Sequence, residues 1–310
     1  MAQSKPINKV FSYEAWVHAV AGATGSVFAM SVFYPLDTAR YRLQIEDPKN
    51  RKALSTFQLI KQLIREEGVS TLYRGMIPVL QSLCISNFVY FYTFHSLKAM
   101  SSSSSQSAVR DLLLGSISGV VNVLTTTPFW VVNSRLKMKG LNGNRDDETN
   151  KYSNLVEGLL YIAQVEGWQG LWAGAIPSLM LVCNPALQFM MYESLKRRIA
   201  KVDGQPSAMM FFLIGAISKT FSSVITYPLQ LIQTKLRHGK STESMKLPSN
   251  AGVIQMLLHI VKTSGVEGLF RGLEAKIWQT VLTAALMFAT YEKIAKFVMS
   301  LLIRKKVTKQ

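Results

Sequence analysis

Residues 34–44 read YPLDTARYRLQ, and two later stretches repeat this order of residue types: TPFWVVNSRLK at 127–137 and YPLQLIQTKLR at 227–237. In each stretch, which we call a proline motif, a proline near the end of an apolar run is followed by polar or charged side chains. Self-similarity at nearly constant spacing is typical of repeat architectures and constrains the whole fold. The chain is therefore expected to fold as repeated units.

Two further markers recur in the same order. Each proline motif is followed by a glycine motif: EGVSTLYRG at 67–75, EGWQGLWAG at 166–174 and SGVEGLFRG at 264–272. Each repeat then closes with an aromatic motif: FHSLK at 94–98, YESLK at 192–196 and YEKIA at 291–295. Three markers recurring in one order divide the chain into three repeats, which we place at residues 12–100, 108–200 and 206–303.

The composition is that of a membrane protein. The 310 residues include 48% hydrophobic and only 17% charged side chains, and the mean hydropathy is positive. A soluble domain carries about 25% charged residues. Six stretches are long and apolar enough to cross a bilayer as helices: Val17–Leu36, Met76–Phe94, Leu112–Val132, Ala173–Tyr192, Ser207–Thr234 and Ile277–Tyr291. An even number of spans places both termini on one side.

The proline of each motif lies near the end of an odd-numbered span, at Pro35, Pro128 and Pro228. Proline removes a backbone donor and strains a helix, so we expect three equivalent bends toward a common axis. Each long connection also contains a weakly amphipathic segment, expected to form a short helix that packs at the membrane surface: Phe57–Ile64, Leu155–Val165 and Val253–Val261.

These motifs resemble those of the mitochondrial carrier family, whose pattern is a proline, acid and base motif followed by acid–glycine and aromatic–basic–glycine elements. The resemblance covers about residues 12–303. It implies an all-α membrane protein in which six transmembrane helices, in three pseudo-symmetric repeats, form a barrel with short surface helices. It also implies a transporter with a central substrate site that opens alternately to the two faces. No catalytic residue, catalytic cofactor or metal is expected.

The resemblance assigns the interior-side gate to side chains of the proline motifs: Asp37, Arg40, Gln44, Trp130, Asn133, Gln230 and Gln233. Asp37 and Arg40 match the acid and base of the family, and Gln44 matches its bracing glutamine. If the acid of one repeat meets the base position of the next, Asp37 faces Asn133 and Arg40 faces Gln230. We therefore expect no full ion pair on this face, easy gate opening and some uniport beside exchange, because charge-assisted bonds are the stronger ones.

The resemblance assigns the cytosolic-side gate to the aromatic motifs: His95, Lys98, Glu193, Lys196 and Glu292. Under the same pairing rule, Glu292 with Lys98 is the ion pair that remains on this face. The termini are expected to lie on the cytosolic side.

Lys219 is the only charged residue in the fifth predicted span. A charged side chain inside a span is costly unless it faces water or an anion, so we predict that Lys219 contacts a substrate phosphate. The alternative is a lysine that reaches the membrane interface or makes a structural hydrogen bond.

Further substrate contacts are expected on the even-numbered helices. The resemblance places them near Ser82, Met180, Leu181 and Gln279. Met180 and Leu181 offer an apolar surface to a purine ring, or else face lipid or pack against other helices. Amides inside apolar spans bind a polar solute or join helices: Asn87, Asn184 and Gln188.

Trp130 replaces the second-repeat acid, as in the branch of the family that carries folate, flavin, pyridine and pyrimidine nucleotides. The strings SNFVYFYTF at 86–94 and NPALQFMMYE at 184–193 resemble a peroxisomal member of that branch. This implies coenzyme A, FAD, NAD and AMP as transported substrates and a location in the peroxisomal membrane. Two alternatives stay open: a mitochondrial inner-membrane carrier of nucleotides, folate or FAD, and a non-transporting membrane docking protein.

The formal net charge of +17 favours anionic partners, which include both nucleotides and lipid head groups. The basic residues are dispersed among apolar spans without a nucleic-acid recognition motif, which excludes that class of partner. The four histidines form no HExxH pattern, which argues against a membrane metalloenzyme. A monomer is expected, with the C-terminal SLLIRKK at 300–306 as a candidate site for a peroxisomal import receptor.

Overall fold

A computed structural model describes residues 28–45, 55–100, 108–138, 152–203, 207–239 and 252–286. These residues form helices joined by short turns and contain no strand. The predicted all-α class is therefore confirmed.

The helices follow the order of the three repeats. In the first repeat, helical residues 28–32 precede α1 (Tyr34–Ile45), α2 (Thr56–Glu67) and α3 (Met76–Met100). The second repeat contains α4 (Ala108–Lys137), α5 (Leu155–Val165), α6 (Gly167–Leu171), α7 (Ala175–Met180) and α8 (Asn184–Asp203). The third contains α9 (Ala208–His238), α10 (Val253–Ser264) and helical residues 273–286, which we call α11. Short 3-10 turns lie at Val69–Tyr73, Leu181–Cys183 and Val266–Phe270.

Within the described residues, four helical segments are long and apolar enough to cross a membrane: Val69–Lys98, Val109–Lys137, Gly167–Ile199 and Met209–His238. They correspond to the second to fifth predicted spans. Most of the first predicted span and the end of the sixth lie outside the described residues. The described part of the first, 28–36, is helical except for a turn at Phe33, and that of the sixth, 277–286, is helical.

Helix α9 shows how the spans divide their faces between lipid and protein. Large apolar side chains are exposed at every fourth position: Leu213, Ile217, Phe221 and Ile225. The neighbouring stripe is buried and contains small polar residues, including Ser218 and Ser222. Such an exposed apolar stripe suits contact with lipid, and small residues allow close approach of helices. Helix α9 packs against α8 and α4 in this way.

The three predicted amphipathic segments are helices. Each packs its apolar face on the helix of its own repeat that contains the proline motif. In the first repeat Leu59 and Leu63 pack with Ala39. The equivalent clusters join Ile162 to Val132 in the second repeat and Met256 to Leu231 in the third. The interpretation of these segments as packing helices is confirmed.

The prolines act differently in the three repeats. The helical residues before Pro35 end at a turn at Phe33, whereas α4 and α9 continue through Pro128 and Pro228 without interruption. Since proline lacks an N–H, the carbonyl of Leu124 receives no donor from Pro128. The Trp172 indole nitrogen instead donates to this carbonyl at 2.9 Å. The helix is therefore interrupted next to the proline in the first repeat, and the three equivalent bends stay a prediction.

Candidate functional site

Asp37 is the centre of a buried polar cluster at the end of the bundle where the proline motifs lie, which we call the proline-motif face. Its carboxylate is 4% exposed and forms an ion pair with the Lys137 ammonium. Arg40 Nη2 donates to Asp37 Oδ1 at 2.8 Å, and Gln279 Nε2 donates to the same oxygen at 3.3 Å. One carboxylate thus binds side chains from all three repeats.

The predicted pairing of Asp37 with Asn133 is wrong. Asn133 and Lys137 are one turn apart on α4, so both face the same side, and the longer lysine reaches the carboxylate. Asn133 Nδ2 donates instead to Ser82 Oγ at 3.4 Å. The expectation that this face lacks a full ion pair, and with it the ground for easy gate opening, is therefore also wrong.

The predicted pairing of Arg40 with Gln230 is likewise not observed. Arg40 bonds to Asp37 on its own helix, and Gln230 Nε2 donates to Thr226 Oγ1 of α9 at 3.0 Å. Gln233 Nε2 reaches across to the second repeat and donates to Ser178 Oγ at 2.7 Å.

Two other polar contacts join the third repeat to its neighbours on this face. Gln44 Nε2 donates to the hydroxyl of Tyr227 at 3.0 Å, linking the first repeat to the third. Arg237 Nη2 donates to Ser178 Oγ at 3.1 Å, and its guanidinium lies 5.8 Å from the centre of the Trp130 ring. The predicted bracing glutamine thus does bridge two repeats.

The three bridging side chains Gln44, Lys137 and Arg237 occupy the last position of the three proline motifs. Lys137 bridges the second repeat to the first, Gln44 the first to the third, and Arg237 the third to the second. Together they form a closed ring of contacts, which we call the bridging ring. Alignment of the motifs at Gln44 would have revealed Lys137 and Arg237, whereas comparison of only the acid and base positions missed both.

The glycines that end the glycine motifs allow the repeats to approach each other. Gly174 has φ +79°, and an added Cβ would lie 3.1 Å from the Gln233 carbonyl oxygen. Gly272 has φ +82°, and an added Cβ would lie 3.2 Å from the Arg40 carbonyl oxygen. Both the left-handed backbone and the contact with the next repeat therefore favour glycine.

In the first two repeats a buried arginine of the helix with the proline motif pairs with the glutamate that begins the glycine motif. Arg42 donates to both carboxylate oxygens of Glu67, at 3.1 and 3.0 Å. Arg135 makes the equivalent two-bond contact with Glu166. The position equivalent to Glu67 in the third repeat is Ser264, which supplies no carboxylate. Sequence reasoning did not identify these pairs.

At the opposite end of the bundle the ion pairs are local. Lys98 Nζ lies 3.1 Å from Asp111 Oδ1, which joins the consecutive helices α3 and α4. Glu193 contacts Lys196 at 3.8 Å on its own helix, and the His95 ring packs against Phe94. Glu292, the predicted partner of Lys98, lies outside the described residues.

Lys219 is half-buried on α9, and within the described residues it forms no ion pair. A second interior lysine, Lys276, is half-buried on α11. It lies three residues before Gln279, which donates to Asp37 Oδ1. Sequence reasoning missed Lys276 because it immediately precedes the predicted sixth span. Its position four residues after a motif glycine, inside a helix, is the signal that identifies it.

The structure ties several of the predicted substrate contacts to other protein groups. Ser82 is buried and donates to the Pro78 carbonyl at 2.9 Å, while Gln279 is bonded to Asp37. Asn184 Nδ2 donates to Thr226 Oγ1 at 2.9 Å. The remaining predicted contacts carry no such bond among the described residues: Leu181 and Gln188, which are half-buried, and Asn87 and Met180, which are exposed.

Comparison with known proteins decides the family. The family model described as mitochondrial carrier protein matches the chain three times, over residues 11–105, 104–203 and 204–301. The chain belongs to the mitochondrial carrier family. It is accordingly a multi-pass membrane transporter of the all-α carrier fold and not an enzyme.

Several curated relatives of this carrier are peroxisomal. It is 50% identical over 290 residues to the peroxisomal membrane protein PMP34 of Mus musculus, covering 92% of this chain and 94% of the relative. It is 30% identical to the peroxisomal adenine nucleotide carrier 1 of Glycine max, covering 91% of each chain. It is 28% identical to the peroxisomal nicotinamide adenine dinucleotide carrier of Arabidopsis thaliana, covering 91% of this chain and 96% of the relative.

Proposed function

We propose that this carrier exchanges nucleotides and nucleotide cofactors across the peroxisomal membrane, with coenzyme A, FAD, NAD and AMP as substrates. The observation that carries the proposal is the similarity to peroxisomal relatives along nearly the whole chain. Trp130 at the second-repeat acid position supports the nucleotide class. Substrate is bound as a small molecule by a monomer that faces lipid, with its termini on the cytosolic side.

The substrate site of this proposal lies among the interior polar side chains. Lys219 binds a phosphate, because an ammonium ion within a span gains most from an anionic partner. Leu181 and Met180 contact the purine ring, and Asn87, Asn184 and Gln188 bind the ribose or the base. Ser82 and Gln279 must exchange their present hydrogen bonds for substrate, which connects substrate binding to Asn133 and Asp37 on the proline-motif face.

Exchange in reconstituted liposomes tests the function. Vesicles loaded with AMP should take up labelled coenzyme A, FAD and NAD, and should not take up malate. Empty vesicles measure uniport; because Lys137 pairs with Asp37, we expect uptake without internal substrate to be the slower process. Failure to take up any nucleotide, with protein that unfolds cooperatively, would favour the docking-protein alternative.

The phosphate contact has a matched pair of variants. Lys219→Gln should reduce nucleotide uptake by roughly tenfold or more, since a hydrogen bond to a charged group is worth about 1.5–3 kcal/mol. Lys262→Gln removes an exposed lysine of α10 and should leave uptake unchanged. Equal uptake by the two variants would remove Lys219 from the site. A tagged copy of the chain that enters mitochondria would favour the mitochondrial alternative.

A further inference from the structure

Helix α11 of the third repeat also contacts the first repeat outside the bridging ring. Oε2 of the Glu274 carboxylate accepts from the Thr56 backbone N–H at 3.2 Å and from the Thr56 hydroxyl at 3.0 Å. One turn further along α11, the Trp278 ring meets the Phe57 ring edge to face, with the ring centres 6.1 Å apart. Two residues of α11 thus hold the first turn of the surface helix α2.

The Glu274 carboxylate lies at a favourable place for a negative charge. Thr56 is the first residue of α2, where backbone N–H groups have no partner within the helix. A carboxylate at this end also gains from the helix dipole and from charge-assisted hydrogen bonds. In the second repeat the corresponding helix start uses an acid of its own repeat, since Glu157 accepts from the Ser153 N–H at 2.9 Å. In the first repeat the carboxylate comes from the third repeat.

The sequence restricts this contact to one of the three boundaries between repeats. Glu274 lies two residues after the glycine that ends the third glycine motif. The equivalent residues of the first and second repeats are Ile77 and Ile176, which are exposed apolar side chains. The carboxylate is therefore specific to the boundary between the third and first repeats.

The same boundary is closed by two contacts of the proline-motif face. Gln44 donates to the Tyr227 hydroxyl, and Gln279, five residues after Glu274 on α11, donates to Asp37. A transporter that opens alternately to its two faces has to separate these groups when the proline-motif face opens. Because α2 packs on α1, moving α11 away from α1 also moves it away from α2.

We propose that Glu274 is a latch that fastens α11 to α2 while the proline-motif face is closed, and that its bonds to Thr56 must break before this face opens. Glu274 is then a gating residue that does not touch the substrate. The latch adds to the bridging ring at a single boundary. The proposal does not depend on which nucleotide is carried.

Hydrogen–deuterium exchange of the full chain in lipid nanodiscs tests the latch without any substrate. Glu274→Ile gives the third repeat the residue of the other two, and uptake at residues 34–45 should become faster by roughly three- to tenfold, the range expected for charge-assisted bonds at a partly exposed site. Uptake at residues 88–100, at the opposite end of the bundle, should not change. Glu267→Ile alters another exposed glutamate of the third repeat and is the matched control. Unchanged uptake in Glu274→Ile, or equal increases at both ends, would overturn the proposal.

A second variant shows whether Glu274 acts through Thr56. Thr56→Val removes the hydroxyl donor but keeps the backbone N–H, so its effect on uptake at residues 34–45 should be smaller than that of Glu274→Ile. The double variant should match Glu274→Ile alone, because the hydroxyl then has no carboxylate to bind. Effects that simply add would overturn the assignment of the pair.

Cross-linking shows whether the latch has to open during transport. Thr56→Cys and Glu274→Cys are introduced into a chain in which the two exposed cysteines are replaced, by Cys84→Ser and Cys183→Ser. A short bifunctional thiol reagent that joins the new cysteines should abolish AMP exchange in liposomes, and reduction should restore it. Undiminished exchange by the cross-linked carrier would overturn the proposal.

The control and the failure of the proposed function are both distinguishable from this result. Gln62→Cys with Glu66→Cys places the same cross-link within α2, where the two side chains are bonded at 2.7 Å, and should leave exchange unchanged. If wild-type protein exchanges no AMP, the proposed nucleotide function fails. Deuterium uptake in Glu274→Ile still decides the latch in that case.

Discussion

In the bridging ring, the ion pair of Lys137 with Asp37 joins the first and second repeats, whereas the ring contacts that involve the third repeat are to hydroxyl groups. Gln44 donates to the Tyr227 hydroxyl, and Arg237 donates to the hydroxyl of Ser178. The same position in three repeats thus makes three different contacts. The geometry of the ring is retained although its chemistry differs.

The same contrast holds inside the repeats. Two buried arginines pair with Glu67 and Glu166 in the first and second repeats, and the equivalent residue in the third is Ser264. The third repeat instead contributes Lys219 and Lys276 to the interior. In the first two repeats an ion pair therefore joins two segments of the repeat at this position, whereas the third repeat has a serine there.

The largest expected effect comes from the charged contact in the bridging ring. Asp37→Asn leaves Lys137 buried without its carboxylate, which should lower the free energy of unfolding by about 3–5 kcal/mol. Thermal unfolding of the purified carrier measures this. The double variant Asp37→Asn with Lys137→Gln should recover part of the loss, because the buried ammonium group is then removed together with its carboxylate partner. A double variant less stable than Asp37→Asn alone would contradict the assignment of the pair.

Removing a carboxylate inside the first repeat should have the next largest effect. Glu67→Ala leaves Arg42, which is 1% exposed, without its two-bond partner and should cost about 3 kcal/mol. The equivalent change in the third repeat, Ser264→Ala, should alter stability by less than about 0.5 kcal/mol. Chemical or thermal unfolding of the two variants compares the repeats directly. Equal losses in the two variants would show that Ser264 stabilises the third repeat as strongly as Glu67 stabilises the first.

The hydroxyl contacts of the third repeat should each be worth less. Tyr227→Phe removes the acceptor of Gln44 and a donor to the Arg271 carbonyl, which lies 2.8 Å away. We expect a loss of about 1–2 kcal/mol, since both partners lie in a buried region. The unfolding temperature should therefore fall less than in Asp37→Asn. A larger fall than in Asp37→Asn would show that the contact of Gln44 with Tyr227, between the first and third repeats, is the strongest contact of the bridging ring.

The smallest effect is expected at Pro128. Trp172→Phe keeps an aromatic side chain but removes the indole N–H that donates to the Leu124 carbonyl. Trp172 is 38% exposed, so the loss should be about 0.5–1 kcal/mol. Hydrogen–deuterium exchange around residues 124–132 should increase in this variant. Unchanged exchange would mean that α4 tolerates its proline without the indole.

Much of the fold could be predicted because it depends on local patterns. The run of apolar residues in α9 and the amphipathic segment Leu155–Val165 both appear as helices with nearly the predicted ends. Gln44 was identified by its match to the bracing glutamine of the family, although its bond to Tyr227 of the third repeat was not predicted. The recurring residue types therefore identified the helices and one of the residues that join the repeats.

The partners of the polar residues could not be predicted in the same way. Asn133 and Lys137 lie on one side of α4, and either is chemically able to bond a carboxylate. Arg42 with Glu67 and Arg135 with Glu166 join residues that lie 25 and 31 positions apart in the sequence, and that spacing does not fix how the segments pack. Lys276 was overlooked because it immediately precedes the apolar run that predicted the sixth span.

The threefold repeat and the family resemblance follow from residue order, and the long helices follow from apolar runs that must be buried or face lipid. The packing of the helices against one another selects Lys137 as the partner of Asp37 and Ser82 as the partner of Asn133. The physical reason is that pairing depends on side-chain reach and on the register between packed helices. Neither quantity is encoded in the spacing of residues along one helix.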